Sequence, residues 1–347
     1  MTKPQHIAVL GAGAWGSALA IHFARNQHRV RLWGRNPQQM SAMQHTRCNT
    51  RYLPDTPFPD TLTPTSDLSH ALECADFILI VVPSSGFRAF LHELRPHLAA
   101  HAARIAPRIA WASKGLETGT AKRLDQVFAE ELPDCAAPAI ISGPTFAREV
   151  AAGLPTAVTV ASHDCDFAEH VAALLHSPNF RAYRVDDVIG VELGGAVKNV
   201  LAIAAGIADG LHFGSNARAA LMTRGLAEIM RLAEKQGARR ETLMGLAGLG
   251  DLVLTCTDNQ SRNRRFGIAL AEGKSVEAAL AQIGQAVEGL PSAREAWRLA
   301  CEHEVDMPIT HAVYQVAFEG LAPKLAVAQL LQRHARPEFD KPSVVVD

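Results

Sequence analysis

Three glycines near the N-terminus have the spacing that binds the pyrophosphate of a dinucleotide. The apolar run His6–Leu10 leads into Gly11-Ala-Gly-Ala-Trp-Gly16, and a segment of helical character follows at about residues 15 to 26. Gly11 permits the sharp turn, Gly13 lets a pyrophosphate approach the backbone, and Gly16 lets helix and strand pack closely. Because a second strand, Arg29–Trp33, comes next, we interpret the motif as a dinucleotide site. The alternative is a purely structural glycine turn.

The residue at the end of the second strand indicates which dinucleotide binds. An acidic residue at this place holds the ribose hydroxyls of NAD, whereas an arginine accommodates the 2′-phosphate of NADP. The strand ends Trp33-Gly34-Arg35, without a carboxylate. We therefore expect NADP(H) to be preferred and NAD(H) to be possible, unless Arg35 is only a solvated charge at a strand end.

Two lysines have sequence surroundings that suit acid/base or anion chemistry. Lys114 follows a predicted buried strand and lies between Ser113 and Gly115, where it can reach an anionic substrate or be an ordinary exposed turn lysine. Lys198 lies in the apolar segment 191–210, which has the length of a membrane span but also contains Glu192 and Asp209. Desolvation lowers the pKa of a lysine towards neutrality, as a general base requires. The alternative is a lysine that extends along the helix to solvent.

A third group of residues suits an anion such as a phosphate. Asp251 is a glycine-flanked acid, and the segment 259–265 supplies amides and guanidiniums. Ser261, Arg262 and Asn263 are the residues that we expect to grip the anion. The same segment is also compatible with a solvated basic turn or a small RNA contact.

Composition restricts the class of protein. The chain has 347 residues, 34 Lys and Arg against 35 Asp and Glu, and 48% apolar residues, so it can bury a large core. The near-zero net charge argues against a nucleic-acid partner or an anionic membrane surface. Six scattered cysteines indicate neither a metal site nor a disulfide framework, and the N-terminus leaves no room for a signal peptide. We expect a cytoplasmic protein with no metal and no integral membrane association.

The pattern of elements predicts an α/β fold with an all-α addition. Apolar runs at residues 76–82, 108–112, 139–141 and 156–160 predict further strands, and the first of these is the expected sheet centre. The proline-rich stretch 49–64 reads as a connector. We predict a Rossmann-type, doubly wound parallel sheet in an NAD(P)-binding domain (1–189), an all-helical substrate domain (190–336) and a tail (337–347) that frays. The loops 82–85, 112–115 and 142–145 follow strand ends and should line the cofactor cleft.

The chain resembles the NAD(P)-dependent glycerol-3-phosphate dehydrogenases of bacterial type over nearly its whole length. The motifs that carry the resemblance lie at residues 11–16, 113–117, 142–147, 194–199, 216–218, 248–251, 259–265 and 287–289. The resemblance implies reversible reduction of dihydroxyacetone phosphate to sn-glycerol 3-phosphate, which supplies the backbone of phospholipids. It also suggests feedback by the product and a homodimer.

The resemblance also implies a role for individual residues. Lys198 would be the proton acceptor in oxidation and the donor in reduction, and Lys114 would touch both cofactor and substrate. The cofactor would be held by Gly11, Gly13, Ala14, Trp15, Gly16, Arg35, Ala147 and Arg262, with Ala286 and Glu288 closing over it. The substrate would contact Gly143, Thr145, Asp251, Ser261, Arg262 and Asn263. Position 14 is alanine where many members have serine, which could remove one side-chain hydrogen bond to a phosphate.

Three other functions are compatible with parts of the sequence. A 3-hydroxyacid or ketopantoate-type reductase shares the layout, and it would be favoured if a carboxylate competed better than a phosphate. A nonenzymatic NADP(H)-binding regulator would bind cofactor without turnover. An RNA-binding module at residues 261–265 would show binding that falls steeply with salt.

Overall fold

An eight-stranded sheet forms the first half of the chain. The structure, a computed structural model, describes residues 3–102, 108–334 and 337–338. The strands are β1 His6–Leu10, β2 Arg29–Trp33, β3 Cys48–Asn49, β4 Leu53–Pro57, β5 Leu62–Thr65, β6 Phe77–Ile80, β7 Arg108–Trp111, β8 Ala139–Ser142, β9 Thr156–Ala161 and β10 Phe180–Val185. Those of the large sheet lie in the order β10-β9-β8-β7-β6-β1-β2-β5, and β3 pairs with β4 in a separate small sheet.

Helices cover the sheet and then form the rest of the described chain. Those of the first half are α1 Ala14–Arg25, α2 Pro37–Thr46, α3 Leu68–Leu72, α4 Phe87–Ala102, α5 Leu124–Glu131, α6 Ala147–Ala152 and α7 Cys165–Leu175. Those of the second half, which we call the helical part, are α8 Val188–Gly210, α9 Gly214–Lys235, α10 Arg240–Met244, α11 Asp251–Thr257, α12 Arg262–Ala271, α13 Val276–Ile283, α14 Gly289–Glu302, α15 Pro308–Phe318 and α16 Pro323–Leu331.

The central strands are apolar on both sides because both faces of the sheet are covered. All four residues of β6 are buried, and β6 pairs in parallel with β1 and β7. One face packs on α1 and α7, where Phe23 and Phe167 are fully buried, and the other packs on α4, where Phe87 and Phe90 are. The predicted fold class, a Rossmann-type sheet followed by an all-α region, is confirmed.

Three details differ from the sequence prediction. The stretch 49–64 is more than a connector, since it contains β4 and most of β5, and β5 joins the large sheet beside β2. Proline was the misleading signal, because an edge strand tolerates it and β5 is such an edge. The sheet is mixed rather than wholly parallel: β9 runs antiparallel to β8, and β10, for which no strand was predicted, pairs in parallel with β9. The expected tail lies almost wholly outside the described residues.

The long helix α8 is the centre of the helical part. Asp187 caps its N-terminus by accepting a hydrogen bond from the Gly190 N–H (2.9 Å). Among the described helices, α8 alone is long and apolar enough to cross a membrane, but 94% of its apolar window is buried inside the protein. Its apolar surface is therefore covered by protein.

Helices α8 and α12 pack closely enough that only glycine fits where they cross. A Cβ atom at Gly267 would lie 2.1 Å from the Ile203 carbonyl oxygen, and one at Gly206 would lie 2.0 Å from that of Arg264. Both obstacles are backbone atoms, so the helices themselves would have to separate. This close crossing brings the N-terminal residues of α12 to the polar middle of α8.

We expect Gly267→Ala to destabilise the protein although alanine favours helix. The forced separation of two packed helices costs about 1–3 kcal/mol, which outweighs the helix propensity gained, about 1 kcal/mol. Urea unfolding should show a lower midpoint. Gly86→Ala is the control, because a Cβ there meets nothing within 4 Å, and its midpoint should not fall. Equal midpoints for both variants would contradict the close crossing.

Candidate active site

The glycine turn forms an open cradle between β1 and α1. Gly11 has φ of +131°, and a Cβ there would lie 2.3 Å from the Val81 carbonyl oxygen; a Cβ at Gly16 would lie 1.9 Å from the Gly11 oxygen. These two positions therefore require glycine. A Cβ at Gly13 would meet nothing within 4 Å, so the space over this residue is open for a ligand.

The N-terminus of α1 opens into the same space. Gly13 is its N-cap residue and supplies no side-chain hydrogen bond, so the first N–H groups of the helix, at Ala14 and Trp15, point towards the cradle without a capping partner. The Trp15 Nε1 atom is buried and has no hydrogen-bond partner among the described residues. An open glycine position in front of uncapped helix N–H groups fits a dinucleotide pyrophosphate.

Arg35 lies beside this cradle at the end of β2. The Gly11 N–H donates to the Trp33 carbonyl (2.9 Å), which fixes the end of β2 against the glycine turn. The Arg35 side chain is 72% exposed, and its guanidinium contacts the Glu93 carboxylate of α4 at 2.8 Å. The cation is therefore accessible at the expected place, but it already has an exposed acidic partner.

The three loops that follow strand ends converge as the sequence predicts. The Ser113 hydroxyl donates to the Val82 carbonyl (2.5 Å), and Lys114 Nζ donates to the Gly143 carbonyl (3.0 Å). The Thr145 hydroxyl donates to the same carbonyl (3.1 Å). Gly143 is buried, whereas Thr145 and Ala147 are half-buried.

One carboxylate joins the two lysines that the sequence singled out. Lys198 Nζ lies 2.6 Å from Asp251 Oδ1, and Lys114 Nζ lies 2.6 Å from Asp251 Oδ2. Lys114 comes from the loop after β7, Lys198 from the middle of α8, and Asp251 from the first residue of α11. Asp251 is only 1% exposed, so the ion pairs are removed from water. We call these residues the Lys-Asp-Lys cluster.

Burial and the neighbouring charges set the proton affinity of the cluster. Desolvation lowers the pKa of Lys198 to about 8; Asp251 opposes this shift, and the Lys114 ammonium adds to it. Burial alone would raise the pKa of Asp251, but the two ammonium groups outweigh it and hold that pKa below its ordinary value. Lys198 can therefore give up and regain a proton near neutral pH, beside a carboxylate that stays ionised.

The sequence analysis missed one member of this network, Thr255. Its hydroxyl accepts a hydrogen bond from Lys198 Nζ (2.7 Å) and donates to the Asp251 carbonyl oxygen (2.6 Å). Thr255 lies four residues after Asp251 in α11, so the i, i+4 spacing on one helix face was the available signal. A single π-helical turn, Leu246–Gly250, leads into α11.

Residues 259–265, which we call the anion segment, include the N-terminus of α12. The Ser261 hydroxyl caps the helix by accepting from the Arg264 N–H (3.2 Å). Arg262 is half-buried and makes no ion pair or hydrogen bond within the described part of the chain. Arg264 instead pairs with Asp209 (2.6 Å), so it does not contribute to a solvated basic patch. A free guanidinium beside a helix N-terminus is a suitable phosphate site.

Two asparagines connect this segment to Lys198 and to α14. Asn263 Nδ2 donates to Oδ1 of Asn199, the neighbour of Lys198 (2.9 Å), and Asn263 Oδ1 accepts from the Gly289 N–H (2.9 Å). Sequence reasoning did not single out Asn199. Glu288 precedes Gly289 and is half-buried, and its charge slightly raises the pKa of Lys198, whereas Ala286 is exposed. The anion segment, the cluster and the residues before α14 therefore lie together.

Comparison with known proteins agrees with this arrangement. Family models described as the N-terminus and the C-terminus of NAD-dependent glycerol-3-phosphate dehydrogenase match residues 6–168 and 187–328. The chain belongs to the glycerol-3-phosphate dehydrogenase family. A relative from Thioalkalivibrio sulfidiphilus, called glycerol-3-phosphate dehydrogenase [NAD(P)+], is 59% identical over 98% of this chain and 100% of its own length.

Two solved structures are similar to this chain to different degrees. A glycerol-3-phosphate dehydrogenase from Coxiella burnetii is 50% identical with a TM-score of 0.91, and the match covers 95% of this chain and 99% of that one. A ketopantoate reductase from Ralstonia eutropha is 16% identical with a TM-score of 0.57, covering 94% of this chain and 100% of that one. The second likeness shows the fold alone, so the glycerol-3-phosphate dehydrogenase family is favoured over the rival reductases.

In this member of the glycerol-3-phosphate dehydrogenase family, we expect Asp251→Asn to leave the buried Lys198 ammonium and the half-buried Lys114 ammonium without a counter-charge. Breaking a buried ion pair costs about 3–5 kcal/mol of unfolding free energy. The Asp251 charge raises the pKa of Lys198, so its loss moves that pKa below about 8. The variant then releases the Lys198 proton at lower pH, and the stability deficit should shrink as the pH rises towards 8.

Urea unfolding of both proteins between pH 6 and pH 9 measures this deficit. Asp186→Asn is the control, because it removes a carboxylate from an exposed pair with Arg239 and should change stability little at any pH. A deficit for Asp251→Asn that stays constant with pH would contradict the assigned charges.

Proposed function

We propose that this chain reduces dihydroxyacetone phosphate reversibly to sn-glycerol 3-phosphate with NAD(P)(H). The observation that carries the proposal is the Lys-Asp-Lys cluster, which lies close to the open glycine cradle and to the N-terminus of α12. A metal is not required by this chemistry, because the lysines supply the positive charge that polarises a carbonyl. The product would serve as the backbone of phospholipids.

The cofactor site would use the glycine cradle and the charges around it. Gly11, Gly13, Gly16 and the N–H groups of Ala14 and Trp15 would hold the pyrophosphate, and Arg35 would bind the 2′-phosphate of NADP. Ala147 and Arg262 would lie along the cofactor, and Ala286 and Glu288 would close over it. The bound nicotinamide supplies or accepts the hydride. We propose that NADP(H) is preferred and NAD(H) is possible.

Lys198 would be the acid and base of the reaction. Reduction places negative charge on the C2 oxygen, and a protonated Lys198 within hydrogen-bond reach donates the proton that this oxygen needs. Oxidation requires the neutral amine, which takes the proton from the C2 hydroxyl. A pKa of about 8 makes both forms available near neutral pH. Asp251 would hold the ammonium groups of both lysines in place.

The remaining residues would bind and orient the substrate. Arg262, Ser261 and Asn263 at the N-terminus of α12 would hold the phosphate, a group remote from the reacting carbon, and this binding helps to orient C2. Lys114 would touch both substrate and cofactor, and Gly143 and Thr145 would line the other side.

The proposal includes the domain organisation, the cellular location and the partners of the enzyme. We propose a cofactor domain up to residue 189, a helical substrate domain at 190–336, and catalysis in the cleft between them. All six cysteines are free, which is typical of a reducing compartment and supports a cytoplasmic location. A homodimer without nucleic-acid or integral membrane partners completes the proposal.

We expect Lys198→Ala to abolish most of the oxidation of NADPH by dihydroxyacetone phosphate. Loss of a general acid lowers kcat by about 10²–10⁴-fold, whereas NADPH should still bind, as measured by fluorescence titration. Lys274→Ala, which changes an exposed lysine on the helical part, is the control and should keep full activity.

Each alternative outcome has a distinct meaning. Absence of wild-type turnover with either cofactor would reject the proposed reaction and return attention to the other reductases. Full activity of Lys198→Ala would keep the reaction but assign the proton transfer to Lys114 or to water.

We expect Arg35→Ala to change the choice of cofactor. Removing a charge-assisted hydrogen bond to the 2′-phosphate should raise KM for NADPH about tenfold. KM for NADH should change little, because NADH has no phosphate there. Steady-state kinetics with both cofactors measure the ratio, and equal losses for NADPH and NADH would show that Arg35 does not discriminate between them.

A further inference from the structure

The loop that carries Lys114 is embedded in the helical part of the protein. We call residues 112–123 the Lys114 segment; it follows β7 of the sheet. Its apolar side chains Leu116 and Ala121 are each only 1% exposed, and both belong to the hydrophobic core formed by α8 and its neighbouring helices. The position of Lys114, which follows a strand of the sheet, therefore depends on packing against the helical part.

The sheet side fixes the middle of this segment through an ion pair. Arg88 of α4 binds Glu117 with two hydrogen bonds, from Nε (2.6 Å) and Nη2 (2.9 Å), and the Thr120 hydroxyl donates to the same carboxylate (2.6 Å). Such two-pronged pairs restrain position as well as distance. The exposed tip of the segment is at Gly119, between Glu117 and Thr120.

Two side chains of α14 bind both backbone groups of Gly119. The Gly119 N–H donates to Glu295 Oε1 (2.9 Å), and the Gly119 carbonyl accepts from the Arg298 guanidinium. Gly119 is exposed, and a Cβ there would meet nothing within 4 Å. A cavity of about 260 Å³ adjoins it, lined in part by Glu295 and Arg298. The loop closes on itself, because the Glu117 N–H donates to the Lys122 carbonyl (2.8 Å) and the Ala121 N–H to the Glu117 carbonyl (3.0 Å). The two contacts with α14 then tie the tip of this loop to the helical part.

The burial of Glu295 in α14 lowers the stability of the folded protein. Glu295 is 1% exposed, and its Oε2 atom has no hydrogen-bond partner in the described parts of the chain; the Arg298 guanidinium lies 3.9 Å away. A buried carboxylate with an unsatisfied oxygen costs stability. At its other end α14 begins at Gly289, which binds Asn263 of the anion segment. One rigid helix thus contacts both the Lys114 segment and the phosphate side of the cluster.

We propose that Glu295 is a positioning residue for the reaction: by binding the Gly119 N–H, it holds the Lys114 segment so that Lys114 reaches Asp251 and Gly143 together. This proposal rests on the proposed function for its kinetic tests. Lys114 Nζ makes both contacts at 2.6 and 3.0 Å, and a shift of about 1 Å at such a group can cost about 10²-fold in rate.

Kinetics of Glu295→Ala and Glu295→Gln give the first test. The alanine variant loses the acceptor, so kcat/KM for dihydroxyacetone phosphate should fall by about 10- to 100-fold. The glutamine variant keeps an amide oxygen for the Gly119 N–H and should stay near the wild-type value. Equal losses for both variants would overturn the proposal.

A double-mutant cycle with Lys114→Ala distinguishes positioning from general damage. If Glu295 acts through Lys114, Glu295→Ala should cause little further loss in the Lys114→Ala background. Equal fold losses in both backgrounds would overturn the proposal. Glu228→Ala is the buried control: it removes a carboxylate that accepts the Ile309 and Thr310 N–H groups at the start of α15, and its effect should be independent of Lys114.

Chemical labelling tests the geometry without turnover, so its result stands even if the proposed reaction fails. Lys114 should be acetylated several-fold faster in Glu295→Ala than in the wild type, as read by mass spectrometry. Lys198 lies in α8, so its slow rate of acetylation should not change. Unchanged labelling of Lys114 in a folded variant would overturn the proposal.

A second pair of variants decides the matter if Glu295→Ala does not fold. Arg298→Ala removes the side chain that donates to the Gly119 carbonyl. Because this side chain is exposed, the variant should fold. The rate of Lys114 acetylation and the KM for dihydroxyacetone phosphate should both rise. Arg294→Ala is the matched control, because this neighbouring arginine packs over Phe318 instead of binding the segment. Equal behaviour of the two arginine variants would overturn the proposal.

Discussion

The buried carboxylate of Asp251 is the interaction on which the rest of the site depends. Two ammonium groups within 2.6 Å of it would repel each other in a medium of low dielectric constant if this charge were absent. The three charged groups come from three separate elements: Lys114 from a loop of the sheet, Lys198 from the middle of α8 and Asp251 from the start of α11. The carboxylate therefore joins the two halves of the chain, and it also raises the proton affinity of Lys198 against the effect of burial.

Close helix packing makes this arrangement possible. Lys198 lies in a helix whose other residues are mostly small or apolar, so its amine is desolvated. Gly206 and Gly267 let α12 approach α8, and the Asn263 amide then meets that of Asn199, the residue next to Lys198. The anion segment is thus placed beside Lys198 by backbone contact. Flexible side chains would place it with less accuracy.

Much of the fold and of the site could be predicted from the sequence, because the signals were local. The glycine turn, the apolar parallel strands and the lysine within an apolar helix each carry their own physical reason. What could not be predicted depends on contacts between distant segments. The antiparallel direction of β9 is set by tertiary packing, β5 was hidden by prolines that an edge strand tolerates, and Glu295 resembles any acidic residue on a helix until its contact with Gly119, 176 residues earlier, is seen.

Leu116 and Ala121 have a consequence for how the chain folds during synthesis. They follow β7, but the core that buries them is built from helices whose first residue is Val188. When the ribosome has completed the sheet strands of the first half, these apolar side chains still have no core to enter. Domains generally fold as units as they emerge. Here one loop of the first half cannot pack its apolar side chains until the second half has been synthesised. Lys114 is thus among the last groups of the sheet half to reach its final position.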